Sequence, residues 1–468
     1  MSRGHLPTNS MVAFCLFLIV LLSGCARVNF EDSLAKTNQA ASEFTEGHLS
    51  LAQTGEQRAA MEKTAEALLA QPLSQKDAVH LALVNSSALQ AILAQNWSDA
   101  ANAAQTGRIA NPIFTFERMR FVDEIEYERL LAFGLLDVLT LPQRYSIAQR
   151  RIEHSQLRLT MEVIEQVTQV RQAWVKAVAA QQNLNYAKQV NAVGEVSAEL
   201  ARRMQKVGNF SKLQRVRQQA FYADAATQWA VAQQTAISTR EELIRLLGLS
   251  DDQEKKLKLP ERLPDLPVAP RSPEEVSRTA QTGRLDIQLA QATFNTAAKA
   301  QGLATITSLT DIKLGVRYDT IFDDAAGTHN NRKGYEISLR LPFFDWGDMQ
   351  RDAMNAQTLA AANRLEATVR AAGSSLREAY FAYRTAYDVS KHYRDEVLPV
   401  RKVISEENVL RYNGMLIGVF ELLADTRDQV NTVIAAINAQ QEFWLANAAL
   451  QTALMGSPMT IETGKRSE

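Results

Sequence analysis

Two stretches of the chain alternate apolar and polar residues with a period of two. In residues 311–322, Ile312, Leu314, Val316, Tyr318 and Phe322 fall on one side with Thr320. Asp311, Lys313, Gly315, Arg317 and Asp319 fall on the other, joined only by Ile321. In residues 334–344, Tyr335, Ile337, Leu339, Leu341 and Phe343 share one side and Glu336, Ser338 and Arg340 oppose them. A period of two predicts a strand with one greasy and one wet face. Such faces suit a membrane barrel with an aqueous lumen, and also half-buried strands packed on helices in a soluble α+β domain. Pro342 and Gly347 end the second stretch, and a long Ala-, Gln- and Arg-rich run of helical habit follows.

The rest of the pattern is helical. Residues 26–71 are polar, with helical hints at 35–44 and 58–69. Residues 74–105 read as one helix, capped by Ser74 with Asp77 as its box-like partner. Asn111-Pro112 stops it, and 113–121 and 126–141 are candidate strands around a charged turn at 122–125. The register of that pair is not readable, because residues 130–141 are apolar on both faces apart from Asp137. From 143 to 258 there is no proline; helical spacing runs to a break at Val207-Gly208-Asn209, resumes, and ends at Leu246-Leu247-Gly248. Five prolines between 260 and 273 mark an internal boundary.

The pattern then recurs. Ser272-Pro273-Glu274-Glu275 opens a helix as Ser74-Gln75-Lys76-Asp77 does, Leu341-Pro342 answers Leu141-Pro142, Gly414 answers Gly208, and Leu454-Met455-Gly456 answers Leu246-Leu247-Gly248. The reading is a tandem duplication of helix, strand, strand, long helix, tip, helix. Residues 143–207 and 348–413 would each reach ~95–100 Å as continuous helix at ~1.5 Å per residue. Pro399, and Val193-Gly194 in the equivalent place, predict a kink or break in each long arm.

Composition changes this picture little, with one exception. The 468 residues carry 51 basic and 52 acidic side chains, so the balance points to no nucleic-acid partner. The exception is the start. Arg3 and His5 precede twelve apolar residues, Met11 to Leu22, too few to span a bilayer but right for a signal-peptide core. Leu22-Ser23-Gly24-Cys25 resembles a bacterial lipobox, which implies cleavage before Cys25, an N-acyl and S-diacylglycerol anchor on it, and, with Ala26 next, the outer membrane. An ordinary signal peptide with a chance cysteine is the plainer alternative. Cys15 lies within the apolar run, leaving no pair for a disulfide. No other apolar run is long enough for a transmembrane helix, so any crossing must be made by strands. Four strands cannot close a barrel, and open edges are forbidden in lipid, so a crossing chain must oligomerise.

No enzyme chemistry is visible. There is no Gly-x-Ser-x-Gly, no His-Glu-x-x-His and no phosphate loop. His48, His80, His154, His329 and His392 are scattered, with no metal-binding pair, and no cofactor is expected.

Several motifs together carry a family resemblance over residues 26–458. Leu341-Pro342-Phe343-Phe344-Asp345-Trp346-Gly347 resembles the strand-to-helix turn of the TolC-type outer-membrane efflux proteins, in particular their acylated members. Arg411-Tyr412-Asn413-Gly414 resembles their tip motif, and Leu422-Leu423 with Ala424, Asp425 and Arg427 the segment after it. The resemblance implies an α+β, mainly α fold: long antiparallel helices form a trimeric periplasmic α-barrel continuous with a 12-stranded outer-membrane β-barrel. The expected division is 1–24 signal peptide, 25–72 lipidated and equatorial segment, 73–250 first repeat, 251–271 Pro-rich connector, 272–457 second repeat and 458–468 tail. Residues 26–70, 250–272 and 457–468 would form a belt around the tunnel.

The implied function is a passive exit duct, a homotrimer in outer-membrane lipid docking tip first on a periplasmic adaptor and an inner-membrane pump. The competing reading is an acylated periplasmic coiled-coil scaffold or adaptor without a pore. Pro142, Pro342, Asp345 and Gly347 are the expected strand-to-helix joints, although Leu139-Thr140-Leu141-Pro142-Gln143-Arg144 departs from the family pattern. Gly208, Tyr412, Gly414, Phe420, Leu423, Asp425 and Arg427 are the expected tip and gate residues. Where relatives place gate acids, alignment through Gly414 puts Phe420 and Leu423; alignment through Leu422-Leu423 puts Ala424, with Asp425 one residue later.

Overall fold

The computed structural model describes residues 29–45, 47–122, 124–281, 284–307, 311–323, 325–341 and 343–456. The helices are α1 (Phe30–Thr45), α2 (Gly55–Leu69), α3 (Gln75–Asn85), α4 (Ser87–Thr106), α5 (Leu135–Leu139), α6 (Leu141–Lys206), α7 (Lys212–Leu247), α8 (Asp251–Glu254), α9 (Pro273–Gln281), α10 (Leu285–Thr307), α11 (Asp348–His392), α12 (Leu398–Asn413) and α13 (Val419–Met455). The strands are β1 (Ile113–Phe121), β2 (Glu124–Gly134), β3 (Ile312–Asp323) and β4 (Thr328–Leu339), forming one antiparallel sheet in the order β1-β2-β3-β4. Among the described residues no single helix is long and apolar enough to cross a membrane.

The chain divides into two compact units that do not follow the tandem order of the elements. Of the described residues, one comprises those within 29–33, 95–158 and 287–369; the other comprises those within 34–94, 159–286 and 370–456. The first holds the sheet and the helix segments next to it. Its helix segments bury small apolar side chains, Ala104, Ile147 and Ala148 among them, and add polar contacts: Asn96 donates to the backbone and hydroxyl oxygens of Ser155 at 2.7 and 2.8 Å, and Lys299 donates to Ser146 at 3.0 Å.

The second unit holds the helical core. Trp174 on α6 is 2% exposed and donates its indole N–H to the Leu73 carbonyl at 2.8 Å, so its apolar body is buried with its one polar atom satisfied. Tyr383 and Tyr387 on α11 and Phe443 and Leu450 on α13 are buried together with Leu266 of the Pro-rich segment. That segment cannot form a regular ladder, and side chains hold it instead. Tyr387 donates to the Pro267 and Val268 carbonyls, Trp444 and Gln440 donate to Pro264, and Tyr383 accepts from the Arg271 amide. The N-terminal helices are also side-chain-held: Arg171 lies 4.5 Å above the Phe44 ring, and Lys256 pairs with Glu66 at 3.0 Å.

Ser74 caps α3 as expected, accepting from the Asp77 amide and donating to its carboxylate at 2.6 Å. The single helix expected over 74–105 is corrected to two, α3 and α4, bent by 54° at Ser86. The cause is long-range. The end of α7 sits against the break: Asn85 donates to the Leu247 and Gly248 carbonyls, and a Cβ on Gly248 would come within 2.9 Å of the Ser86 Cα. The strand expected over 126–141 stops at Gly134. Residues 135–139 are a helical turn instead, held by Thr140 donating to the Leu136 carbonyl at 2.6 Å and by an Arg144–Asp137 pair at 2.7 Å. The strand expected over 334–344 is shifted to Thr328–Leu339.

The two long arms treat their weak points differently. A break at Val193-Gly194 does not occur; α6 runs through it. Gly194 instead permits close packing, since a Cβ there would lie 3.3 Å from the Tyr222 Cα on α7. In the second arm the interruption at Pro399 is present as a π-helical turn over Tyr393–Val397, with α12 restarting around the proline. The wider turn accommodates the hydrogen bond that proline cannot donate.

Candidate functional site

The sheet brings together side chains from both halves of the chain and sorts them by face. Pairing sets Phe114 opposite Leu131, Leu131 opposite Val316 and Val316 opposite Tyr335, so a continuous apolar row crosses all four strands. These residues are exposed, Tyr335 at 82%. The other face carries the acids, Glu117, Glu126, Glu128, Asp319 and Glu336 among them, with Lys313, Arg317 and Arg332.

Arg317 is the hub of that charged face. It pairs with Glu128 of β2, reaches Asp319 at 2.9 Å and approaches Glu336 of β4 at 3.9 Å. Arg332 pairs with Glu126, and Arg340 lies 3.9 Å from Asp311. The Asp319 and Glu128 side chains are only 7% and 15% exposed, so this face is the more shielded of the two. Buried carboxylates need such partners, because an unpaired charge away from water is costly. The first strand pair, unreadable in sequence, is in register from Ile113 opposite Ala132 to Phe121 opposite Glu124. The pairing of β2 with β3, with Glu126 opposite Ile321 and Leu130 opposite Arg317, is what supplies Glu126 and Glu128 to the network.

The strand-to-helix joints use two devices. At the first, Pro142 is the second residue of α6, where its missing N–H has no intrahelical partner to lose, and α5 makes the turn. At the second, Asp345 accepts from the Gly347 amide at 2.8 Å, Gly347 takes a left-handed φ of 66°, and Arg351 ties the next turn to the Gly347 and Trp346 carbonyls. Pro342 and Cys25 lie outside the described residues.

The tip residues lie at two helical hairpins of the second unit. Gly208, with φ of 82°, ends α6 where a Cβ would be strained, and Ser211 caps α7 in a box with Gln214. Tyr412 lies in the last turn of α12, Gly414 follows its end, and Met415 takes a positive φ of 60°. Phe420 begins α13 and stacks on Phe210 at 4.4 Å between centroids, so the two hairpin tips touch. Arg427 lies 5.5 Å over Phe221 of α7. Leu423 is half-buried, and the shielded Oδ2 of Asp425 has no hydrogen-bond partner among the described residues. Phe210 and Phe221 were not singled out in the sequence, because single aromatics at a helix turn have no distinguishing local pattern. No group of three or more metal-ligating side chains is placed together among the described residues.

No family model matches the chain, and no curated protein matches it in sequence. Solved structures do match. The CmeC outer membrane channel of Campylobacter jejuni superposes with a TM-score of 0.68 at 14% identity, over 88% of this chain and 89% of that one. The chain has the fold of an outer-membrane channel. A membrane protein from Pseudomonas aeruginosa gives 0.66 at 19% identity, covering 84% of this chain and 93% of the other. The open-state MtrE outer membrane channel of Neisseria gonorrhoeae gives 0.63 at 18%, covering 85% and 89%. At these identities the likeness concerns the fold, which is the one the TolC-type motifs implied.

Proposed function

We propose that the protein is the outer-membrane exit duct of a tripartite efflux system, a passive channel fed by an inner-membrane pump through a periplasmic adaptor. The observation that carries this is the sheet: four strands with an exposed apolar face, a shielded charged face and unpaired outer edges on β1 and β4. Strands of this length suit a bilayer, which needs ~9–11 residues. Unpaired edges are not tolerated in lipid, and closure by three copies would remove them. The pairing of Arg317 and Arg332 with acids suits a water-filled lumen. A scaffold without a pore has no use for such a sheet, which disfavours that alternative.

In this reading Cys25 carries the lipid anchor, and the two hairpin tips meet the adaptor and hold the gate at Phe420, Leu423 and Asp425. Residues 73–250 and 272–457 are tandem repeats of one ancestral unit. The deciding experiment is planar-bilayer recording of the purified mature protein together with its mobility on gels before and after heating. Discrete currents and a heat-sensitive oligomer are expected; a soluble, non-conducting protein would refute the duct and restore the scaffold. Leu423→Ser and Phe420→Ala should each raise resting conductance, and unchanged resting conductance in both would refute the gate. Loss of acyl mass in Cys25→Ser tests the anchor.

A further inference from the structure

The apolar face of the sheet changes character along its length. Near the helices it presents Val316, Tyr335, Ile337 and Leu339, all well exposed. Toward the turns that join β1 to β2 and β3 to β4 it presents Arg118, Arg120, Arg129 and Lys333. The register places these four on that one face: Arg118 is opposite Tyr127, Arg120 opposite Ile125, Arg129 opposite Phe116, and Lys333 opposite Tyr318. Every described acidic residue of the four strands, from Glu117 on β1 to Glu336 on β4, has the other parity and lies on the other face.

Aromatic rings hold three of these cations. Arg118 is 6.0 Å from the Tyr127 ring centroid, and Arg129 and Lys333 are 5.7 and 6.0 Å from that of Tyr318. Arg129 also donates to the Thr320 hydroxyl at 3.2 Å. A ring orients a cation without neutralising it, and leaves guanidinium N–H groups facing outward. Four positive charges interleaved with aromatic side chains, directly beside a broad apolar band, complement the phosphate layer of a membrane surface. Arginine forks match phosphate oxygens in pairs.

We propose that Arg118, Arg120, Arg129 and Lys333 form a binding band for the phosphate groups of a phosphorylated membrane lipid at the turn end of the sheet. This rests on reading the sheet as part of an outer-membrane barrel. The band fixes the depth of that barrel by gripping headgroups while the apolar band below it meets acyl chains.

The test compares the full-length protein with the variant Arg118→Gln, Arg120→Gln, Arg129→Gln, Lys333→Gln. Both are reconstituted in phosphatidylcholine vesicles containing either bisphosphorylated lipid A or its dephosphorylated form. Retained lipid is read by native mass spectrometry after detergent extraction, and channel activity by planar-bilayer recording. The native protein should retain phosphorylated lipid A at least ~tenfold better than the variant, and raised salt should weaken that retention. Equal retention by both proteins, or equal retention of the dephosphorylated lipid, overturns the band. The two readings separate cleanly. Currents with equal retention leave the duct standing without the band, whereas phosphate-dependent retention without currents leaves the band without the duct.

Discussion

Arg317 offers the sharpest test of how the sheet is held together. Replacing it by Gln removes a charge that serves two strands at once. Its Nε–H lies 2.9 and 3.2 Å from the two Asp319 oxygens, and its far end meets Glu128. The 3.9 Å approach to Glu336 is too long to contribute much. The cost is set by what is left behind. The Asp319 side chain is 7% exposed and cannot regain bulk hydration, while Arg317 at 35% is already partly hydrated. A fully buried unpaired carboxylate would cost ~3–5 kcal/mol; the exposure of the arginine discounts this to ~2 kcal/mol. If the loss falls on the unfolding barrier, unfolding at a fixed temperature accelerates by about 30-fold. The assay is the decay with time, at a fixed temperature, of the oligomer band seen on gels before heating, or of strand circular dichroism. The double variant Arg317→Gln, Asp319→Asn removes the stranded charge and should recover most of the loss. A single variant as durable as the native protein, or a double variant no better than the single, would refute the assignment of Arg317 as the partner that shields the Asp319 charge.

Three further outcomes are expected. The charged face of the sheet carries more acids than bases, so a pore lined by it should favour cations; Glu124→Gln with Glu126→Gln should shift the reversal potential in a salt gradient toward zero. His154 is held below the ordinary value of 6.5, first by burial and then by Arg158. The folded form therefore binds its proton less readily than the unfolded chain, so stability should fall as pH drops below 6.5, and His154→Gln should flatten that part of a denaturation-versus-pH curve. At the tips, Gly208→Ala should weaken and Met415→Gly should strengthen local protection by ~1 kcal/mol each, read by amide exchange across each hairpin, because both positions hold a positive φ.

The long elements were legible because their periodicity is strong. The last helix ends at Met455, just before the Gly456 of the recurring closing motif, and β3 lies one residue later at each end than its alternation predicts. Errors fell where the local pattern is silent or ambiguous. The first half of β4, Thr328 to Lys333, is polar on both faces, so nothing marked it as strand. Leu135 to Leu139 is apolar enough for a strand, and only the Asp137–Arg144 pair reveals a helical turn. The break at Ser86 packs against the end of α7, far away in sequence, where Asn85 donates to the Leu247 and Gly248 carbonyls. At the candidate site, Arg317 was placed on the wet face from its parity alone, but its partner Glu128 depended on a register that no alternation recorded. Likewise Phe420 was named from its motif, whereas its stacking partner Phe210 belongs to a turn that is unremarkable as sequence.

The Pro-rich segment gripped by Tyr387, Trp444 and Tyr383 has a practical consequence. Its fastening uses backbone carbonyls and one amide, and the Val268 side chain is left 99% exposed. A thiol introduced as Val268→Cys would therefore carry a fluorophore without disturbing the fastening. The chain's own cysteines are Cys15, in the expected leader, and Cys25, the expected acylation site. Labelling in whole cells would then report on this one position, giving an optical readout of what approaches the helical unit while the protein works.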